Sequence, residues 1–228
     1  MKLQNKSVIV TGSGRGIGEY IAKKLAREGG NIVLTGRTTK DIEKVSKDIN
    51  DAGGRAIFIR GDVTREEDVK TVIHETIEEF GKVDVLVNNA GIGLKKYIWE
   101  TGVKEFDEVM DVNAKGVFLY MKHIIPEMDL NGGLIINISS GAGKEGIPML
   151  SAYCASKFAV IGLTESAAAE VKNVKIVALC PGSVDTGMFR QLFPDEKADL
   201  KPDDVAEKVA DICIHPGKYR QGQSIEIY

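Results

Sequence analysis

Short apolar segments alternate along this chain with longer segments whose apolar residues recur at helical spacing. Segments such as 7–11 and 31–35 are almost continuously apolar, which is typical of parallel strands covered by helices on both faces of a sheet. The predicted strands are residues 7–11, 31–35, 55–60, 83–87, 134–139, 175–179 and 223–227. Because helical stretches separate them, the pattern predicts successive βα units and a parallel sheet.

The intervening segments predict amphipathic helices. One apolar stripe runs through Ile17, Ile21 and Leu25, with charged residues between its members. The later helices are predicted at 101–128, 151–172 and 203–214. Right-handed crossovers between parallel strands favour an α/β chain folded as a doubly wound, three-layer α/β/α sandwich with a mainly parallel seven-stranded sheet. No linker or repeat interrupts the pattern, so residues 1–228 are predicted to form a single domain.

Composition narrows the classes of function. Hydrophobic residues make up 43% of the chain and charged residues 28%, which excludes a disordered chain. The 30 Lys and Arg against 33 Asp and Glu give a formal net charge of −3, so no nucleic-acid partner is expected. Neither a signal peptide nor a membrane span is predicted, because no apolar run is long enough for either.

The cysteines and histidines predict neither disulfides nor a metal site. The chain has 3 cysteines, which lie far apart and form no C-x-x-C pair, so a reducing, cytoplasmic location is expected. The 3 histidines show no paired ligand spacing, and metal-dependent chemistry is therefore disfavoured.

A glycine-rich turn follows the first predicted strand and precedes a helix. Glycines in this setting let backbone N–H groups approach a pyrophosphate at the N-terminus of the helix, although a tight connection alone would also use them. The residues concerned are Gly12, Ser13, Gly14, Arg15, Gly16, Ile17 and Gly18. Their position favours a dinucleotide site.

The end of the second predicted strand favours NADP over NAD. NAD-binding proteins place an acidic residue there to hold the ribose, whereas this chain reads Gly36-Arg37-Thr38. Arg37 and Arg15 are suited to bind a 2′-phosphate, since guanidinium groups bind phosphate with paired hydrogen bonds. The alternative is that both are solvated surface arginines.

Polar residues also follow the third and fourth predicted strands. Asp62-Val63 ends the third strand, and Asn88-Asn89-Ala90-Gly91 ends the fourth. Side chains at these strand ends could contact the adenine or brace the loops. Ordinary turn chemistry is an equal alternative, because Asp, Asn and Gly are common turn residues.

Two predicted helices carry polar residues on apolar faces. Asn113 shares a face with Phe106, Met110, Val117 and Tyr120. Either backbone groups satisfy its amide in the core, or the amide meets a water or polar site at the sheet edge.

Tyr153 and Lys157 lie four residues apart on a face that continues to Ile161. Burial of the Lys157 ammonium on this apolar face is unfavourable unless the charge is paired or the desolvated amine has a functional role.

In order and spacing, these motifs resemble the short-chain dehydrogenase/reductase family over essentially the whole chain. The shared residues are T-G-x-x-x-G-x-G at 11–18, N-N-A-G at 88–91, Asn113, the Y-x-x-x-K pair Tyr153 and Lys157, and Pro181-Gly182 followed by Thr186. The family's catalytic serine stands thirteen residues before the tyrosine, which selects Ser140 here, with Ser139 as the nearby alternative.

The resemblance implies a Rossmann fold that binds NADP(H) and exchanges a hydride with a carbonyl or secondary alcohol. Tyr153 would be the general acid or base, with its pKa depressed by Lys157, and Ser140 would polarise the carbonyl. Asn113 would hold a water that links Lys157 to solvent. The implied cofactor-binding residues are Gly12, Ser13, Gly14, Arg15, Gly16, Ile17, Gly18, Arg37, Thr38, Asp62, Val63, Asn88, Asn89, Ala90, Gly91, Tyr153, Lys157, Pro181, Gly182, Val184 and Thr186.

Segment 187–202 is the expected substrate cover. It contains the apolar residues Met188, Phe189, Leu192 and Phe193, which would either cover a small substrate or pack a short helix on the core. This segment is shorter than in many 3-oxoacyl-(acyl-carrier-protein) reductases, and the sequence that follows it is similar to NADP-dependent 3-hydroxy acid dehydrogenases. The expected substrate is therefore a 3-oxoacyl or 3-hydroxy acid compound.

Other functions stay open. They are a 3-oxoacyl-(acyl-carrier-protein) reductase proper, another ketone or sugar reductase of the family, or an idle NADP sensor on the same fold. A sensor would be expected to lack Tyr153 or Lys157, and a methyltransferase would have no use for them. By the resemblance, a homodimer or homotetramer is expected.

Overall fold

The computed structural model describes residues 2–228. Its strands are β1 (Ser7–Thr11), β2 (Asn31–Gly36), β3 (Arg55–Arg60), β4 (Val85–Asn88), β5 (Gly133–Ile138), β6 (Val174–Pro181) and β7 (Ser224–Ile227). These seven strands form one sheet in the order β3-β2-β1-β4-β5-β6-β7, and every neighbouring pair is parallel. The predicted doubly wound α/β fold is confirmed, with a sheet that is wholly rather than mainly parallel in the part of the chain described.

Eight α-helices connect or flank the strands in the described part of the chain. They are α1 (Gly16–Arg27), α2 (Thr39–Asp51), α3 (Glu66–Phe80), α4 (Val103–Met110), α5 (Gly116–Asn131), α6 (Ser151–Glu170), α7 (Gly187–Leu192) and α8 (Pro202–Ile214). Short 3₁₀ turns occupy Ile98–Glu100, Gly141–Gly143 and Pro216–Lys218.

Two apolar cores lie on opposite faces of the sheet. On one face, α1, α2 and α8 bury residues such as Ile21, Ile42 and Val209 against β1 and β5. On the other face, α3, α5 and α6 bury residues such as Val69 and Ile124. This three-layer arrangement explains why the central strands are apolar on both faces.

The strand order reverses beside β1, which pairs with β2 on one side and with β4 on the other. In an open parallel sheet this reversal leaves a crevice beyond the carboxyl ends of the strands, where ligands bind. The glycine-rich turn follows β1 and the Asn88–Gly91 segment follows β4, so both predicted motifs border this crevice.

The predicted helix at 101–128 is interrupted. A π-helical turn, Asp111–Lys115, separates α4 from α5 and has Asn113 at its centre. The predicted apolar face through Phe106 is wrong, because the side chain of Phe106 is 41% exposed while Val109 is buried. A π turn adds a residue to the helical register, so the face before it is rotated relative to the face after it.

Within residues 2–228, no helix is both long and apolar enough to cross a membrane. The same residues contain no group of three or more His, Cys, Asp or Glu side chains that could hold a metal ion. All three cysteines are free thiols.

We expect Leu86→Ala to lower the free energy of unfolding by about 3 kcal/mol, because truncation of a buried leucine leaves a cavity. Leu86 lies on the central strand β4 and is 0% exposed. The matched control is Leu130→Ala on α5, where the side chain is 82% exposed and the expected loss is below about 0.5 kcal/mol. Urea unfolding curves measure both, and equal losses would contradict the assignment of Leu86 to the core.

Candidate active site

The turn between β1 and α1 depends on glycine. Gly12 has φ +63°, and a Cβ there would lie 2.8 Å from the Cα of Ala90. A Cβ on Gly18 would collide with the carbonyl oxygen of Gly12 and with the side-chain amide of Asn89. Backbone groups of the turn are therefore packed directly against the segment that follows β4.

The segment after β4 is tied to the same turn by hydrogen bonds. The amide of Asn89 donates to the carbonyl of Thr11 at 2.9 Å, and the Thr11 hydroxyl accepts from the backbone N–H groups of Asn89 and Ala90 at 2.9 and 3.0 Å. Deeper in the sheet, Asn88 donates to the side chain of Asn137 at 2.8 Å. Both asparagines thus brace the strand ends in the way that the loop-bracing alternative predicts.

The N-terminus of α1 faces the crevice without a side-chain cap. Arg15 occupies the capping position in an extended conformation and makes no capping hydrogen bond. The space beside Gly16 is open, and its nearest neighbour is the methyl group of Thr186 at 3.9 Å from a Cβ built on Gly16. Free N–H groups at the start of a helix, bordered by open space, fit the pyrophosphate of a dinucleotide.

The end of β2 adds exposed cationic and polar side chains to this crevice. Arg37 and Thr38 are exposed, as is Arg15. Burial raises the pKa of Asp62, but hydrogen bonds from Thr64 and the nearby charge of Arg37 outweigh it and hold that pKa below its usual value. The ends of β2 and β3 are therefore close together, and Arg37 lies near Asp62 at this edge of the sheet.

Asp62 and Val63 have local structural partners. The carboxylate of Asp62 accepts from the backbone N–H and the hydroxyl of Thr64 at 3.0 and 2.8 Å, as in an Asx turn. Val63 packs against Gly116, where a Cβ would lie 2.8 Å from the valine side chain. The predicted turn chemistry is therefore present at this strand end.

Lys157 is the buried cation of the site. It is 4% exposed, and its Nζ donates to the carbonyl of Ile138 at 2.9 Å. The same Nζ lies 5.7 Å from the centroid of the Tyr153 ring. Burial lowers the pKa of Lys157 to about 8, so the ammonium form is retained at neutral pH.

The pKa of Tyr153 moves in the direction opposite to the one that the resemblance implies. Burial raises it, and the hydrogen bond with the Ser140 side chain offsets this only in part. The reason is that Tyr153 packs against an apolar cluster of Ala142, Leu150 and Cys154. In this structure burial therefore favours the neutral phenol.

The two adjacent serines have different environments. Ser139 is buried and its hydroxyl donates to the carbonyl of Lys157 at 2.9 Å. Ser140 lies beside Tyr153, and its oxygen accepts from the backbone N–H of Ala142 at 3.2 Å. Because the Ala142 contact uses a lone pair, the Ser140 proton remains available to the Tyr153 oxygen or to a ligand, whereas the Ser139 proton is engaged by the Lys157 carbonyl.

Asn113 is satisfied by backbone and side-chain partners. Its amide oxygen accepts from the Ile92 N–H at 2.8 Å, and its nitrogen donates to the Ile92 carbonyl and to Ser156, each at 2.9 Å. A Cβ on Gly91 would lie 3.3 Å from the Asn113 oxygen and 3.5 Å from the Nζ of Lys157. Asn113 and Lys157 therefore both lie beside the backbone of Gly91, where a side chain would contact them.

The segment after β6 closes one side of the crevice. Pro181 ends β6, Gly182 follows it, and Val184 is buried and forms a parallel bridge with Leu200. The hydroxyl of Thr186 accepts from the N–H of Phe189 at 3.2 Å and so caps α7. The Thr186 methyl group reaches the glycine-rich turn.

The short helix α7 covers the segment that leaves β4. A Cβ on Gly93 would lie 2.6 Å from Leu192 and 3.3 Å from the sulfur of Met188. The rings of Phe189 and Phe193 stack at 5.3 Å between centroids, and Phe193 packs against the cluster around Tyr153. Leu192, Met188 and Phe193 of segment 187–202 therefore pack against the residues that follow β4 and the cluster beside Tyr153.

Two side chains beside the site were missed by sequence reasoning. The Tyr228 ring lies 3.0 Å from a Cβ built on Gly182 and 3.8 Å from one built on Gly141. The Nζ of Lys95 lies 4.0 Å from the centroid of the Phe193 ring. Neither has a periodic signal, because Lys95 is in an irregular segment and Tyr228 follows the last strand; only the pairing of β6 with β7 places Tyr228.

Comparisons with known proteins agree with this geometry. A family model described as short chain dehydrogenase matches residues 6–197. A 3-oxoacyl-(acyl-carrier-protein) reductase of Staphylococcus epidermidis is 37% identical over 98% of this chain and 97% of its own length.

Solved structures are similar over nearly the whole chain. Levodione reductase has a TM-score of 0.93 at 28% identity and covers 99% of this chain and 96% of its own. A 3-ketoacyl-(acyl-carrier-protein) reductase from Brucella melitensis, complexed with NADH, has a TM-score of 0.90 at 32% identity. The match covers 99% of this chain and 97% of that chain.

We expect Lys157 to make stability rise with pH. Its pKa is about 8 when folded and 10.5 in the reference state, so the unfolded chain binds more protons between these values. The free energy of unfolding of the wild type, relative to Lys157→Met, should rise by about 1 kcal/mol between pH 8 and pH 9. Unfolding curves at the two pH values measure this difference, and a constant difference would mean that the buried amine titrates as it does in water.

Proposed function

The chain belongs to the short chain dehydrogenase family, and we propose that it is an NADP(H)-dependent oxidoreductase that interconverts 3-oxo compounds and their secondary alcohols. The observation that carries this proposal is the placement of Ser140, Tyr153 and Lys157 together beside the crevice of the glycine-rich turn. The proposed enzyme consists of one domain, residues 1–228, in which segment 187–202 covers the substrate.

In this proposal the residues around the crevice hold the dinucleotide. The N–H groups at the start of α1 bind the pyrophosphate, and the residues that follow β3, β4 and β6 border the adenine and the nicotinamide. The bound nicotinamide supplies or accepts the hydride. The protein residues supply position, a proton and polarisation.

The proton comes from Tyr153 in the direction of reduction. A phenol that burial keeps protonated can donate to a carbonyl oxygen as that oxygen gains negative charge. Ser140 donates a second hydrogen bond to the same oxygen, using the proton that its contact with Ala142 leaves free. The two donors share one target, which fixes the orientation of the substrate carbonyl.

Lys157 assists Tyr153 electrostatically. Its ammonium lies 5.7 Å from the centroid of the Tyr153 ring, so it stabilises the phenolate that forms when the proton leaves. Asn113 and Lys157 both approach Gly91, where a Cβ would lie 3.3 Å from the Asn113 oxygen and 3.5 Å from the Nζ of Lys157. Asn113 acts there as a positioning residue, because its side chain holds the backbone of Ile92.

The preference for NADP over NAD rests on Arg15 and Arg37. Both are exposed at the rim of the crevice, and no acidic residue occupies the end of β2. The Brucella melitensis relative is complexed with NADH, so similarity to these solved structures does not by itself favour NADP over NAD. The guanidinium groups of this chain favour the 2′-phosphate because they can bind it with charge-assisted hydrogen bonds.

Exposed apolar residues support a homodimer or homotetramer. Phe118 on α5 and Phe158 on α6 are each 46% exposed, on neighbouring helices of one outer face. Large exposed aromatic side chains are common in interfaces between subunits. A cytoplasmic location stays a prediction from the free cysteines.

We expect Tyr153→Phe to lower kcat for reduction of a 3-oxo substrate by about 100-fold to 10,000-fold, because the proton donor is lost. Steady-state oxidation of NADPH measures the rate, and NADPH fluorescence checks that cofactor binding is retained. The control Tyr20→Phe removes a hydroxyl from an exposed tyrosine on α1 and should leave kcat unchanged. If the wild type binds NADPH tightly and reduces no carbonyl compound, the chain is a nucleotide sensor.

We expect Arg37→Ala to lower kcat/KM for NADPH by about 10-fold to 100-fold while changing kcat/KM for NADH little, because only NADPH carries the 2′-phosphate. Arg27→Ala is the matched control, since Arg27 is an exposed arginine at the far end of α1. Equal losses of kcat/KM with NADPH and NADH would show that Arg37 supports the loop and does not bind the 2′-phosphate.

A further inference from the structure

We propose that Lys95 binds the carboxylate of the substrate, so that the enzyme acts on free 3-oxo and 3-hydroxy acids in preference to their thioesters. This inference rests on the proposed function, because it names the substrate class of that site. It is carried by the position of Lys95, by its surroundings and by the pairing of the other cations nearby.

Lys95 belongs to the segment that connects the reacting groups to the helix covering them. At Gly91 this segment passes Lys157, and at Gly93 it lies beneath Leu192 and Met188 of α7. Lys95 is four residues beyond Gly91, which is at most about 14 Å of extended chain. Lys95 therefore starts just beyond the point at which α7 covers this segment.

The ammonium of Lys95 is held at the edge of the site by an aromatic ring. Its Nζ lies 4.0 Å from the centroid of the Phe193 ring, and Phe193 packs against the cluster that includes Tyr153. Phe193 thus contacts both the Lys95 ammonium and the apolar cluster against which Tyr153 packs. The Lys95 residue is half-buried, so its charge is less well solvated than that of a surface lysine.

Other cations near the site already have partners. The adjacent Lys96 is paired with Glu105 at 2.6 Å, and Lys157 donates to the carbonyl of Ile138. Lys144, in the turn after Ser140, is paired with Glu226 at 3.5 Å. Lys95 forms no ion pair with any residue from 2 to 228, so its ammonium, which contacts the Phe193 ring, carries no neutralising partner and is available to an anionic ligand.

A 3-oxo acid fits this arrangement. Its carboxylate is separated from the reacting carbonyl by one methylene group, so a carbonyl placed at Tyr153 and Ser140 leaves the negative charge nearby. A thioester of the same acid has no charge at that position. An ammonium there favours the free acid by electrostatic complementarity, and this preference should weaken at high ionic strength.

The experiment compares KM for acetoacetate, methyl acetoacetate and acetoacetyl-coenzyme A in the wild type, Lys95→Met and Lys95→Arg. Methionine keeps an apolar contact with Phe193 while the charge is removed, and arginine keeps the charge. Lys96→Met is the matched control, because it removes the neighbouring charge that is paired with Glu105. NADPH binding and thermal unfolding of each variant report on folding.

Lys95→Met should raise KM for acetoacetate on the order of 10-fold, with kcat within about twofold, so that the ratio of kcat/KM for acid over methyl ester falls by the same factor. Lys95→Arg should restore that ratio, and Lys96→Met should not change it. In the wild type, added salt should raise KM for acetoacetate but not for the ester.

The proposal is overturned if Lys95→Met affects all three substrates equally, because Lys95 then only holds α7 through Phe193. It is also overturned if the wild type reduces acetoacetyl-coenzyme A with a higher kcat/KM than acetoacetate. Loss of every reductase activity in the wild type would instead contradict the proposed function.

Discussion

The parallel pairing of β1 with both β2 and β4 is the constraint on which the site depends. This pairing reverses the strand order beside β1 and opens a crevice beyond the carboxyl ends of the strands. It also brings the turn after β1 within hydrogen-bond distance of Asn89, so that backbone atoms of two distant segments pack in direct contact. A larger residue at Gly12 or Gly18 would clash with Ala90, or with the Gly12 carbonyl and Asn89, and would break this contact.

Buried polar groups in the site have partners that also position the reacting side chains. The ammonium of Lys157 would be unfavourable in this apolar surrounding without the carbonyl of Ile138, which fixes it near Tyr153. Asn113 is held by Ile92 and Ser156, and the Ser139 hydroxyl by the Lys157 backbone. The interactions that compensate for desolvation are therefore the same ones that give the site its geometry.

Sequence reasoning predicted the α/β fold, the strand positions and the motif residues. It failed for features that depend on the register of a helix or on the surroundings of a side chain. The face through Phe106 was wrong because a π turn shifts the helical register. The rise of the Tyr153 pKa that burial causes in this structure was not foreseen, because the apolar packing around the phenol leaves no signal in the spacing of the motif. The choice between Ser139 and Ser140 also needed their partners in space, since two adjacent residues differ only in the direction of their side chains.

The sequence by itself determined the order of strands and helices, the parallel sheet and the residue types at the strand ends, because hydrophobic periodicity and glycine placement are local properties of the chain. Only the tertiary structure decided which of those residues meet. The contact of Lys95 with Phe193, and of Tyr228 with Gly182, joins segments that are far apart in sequence. Such contacts depend on how the irregular segments pack over a sheet edge, and packing of this kind leaves no periodic pattern in the sequence.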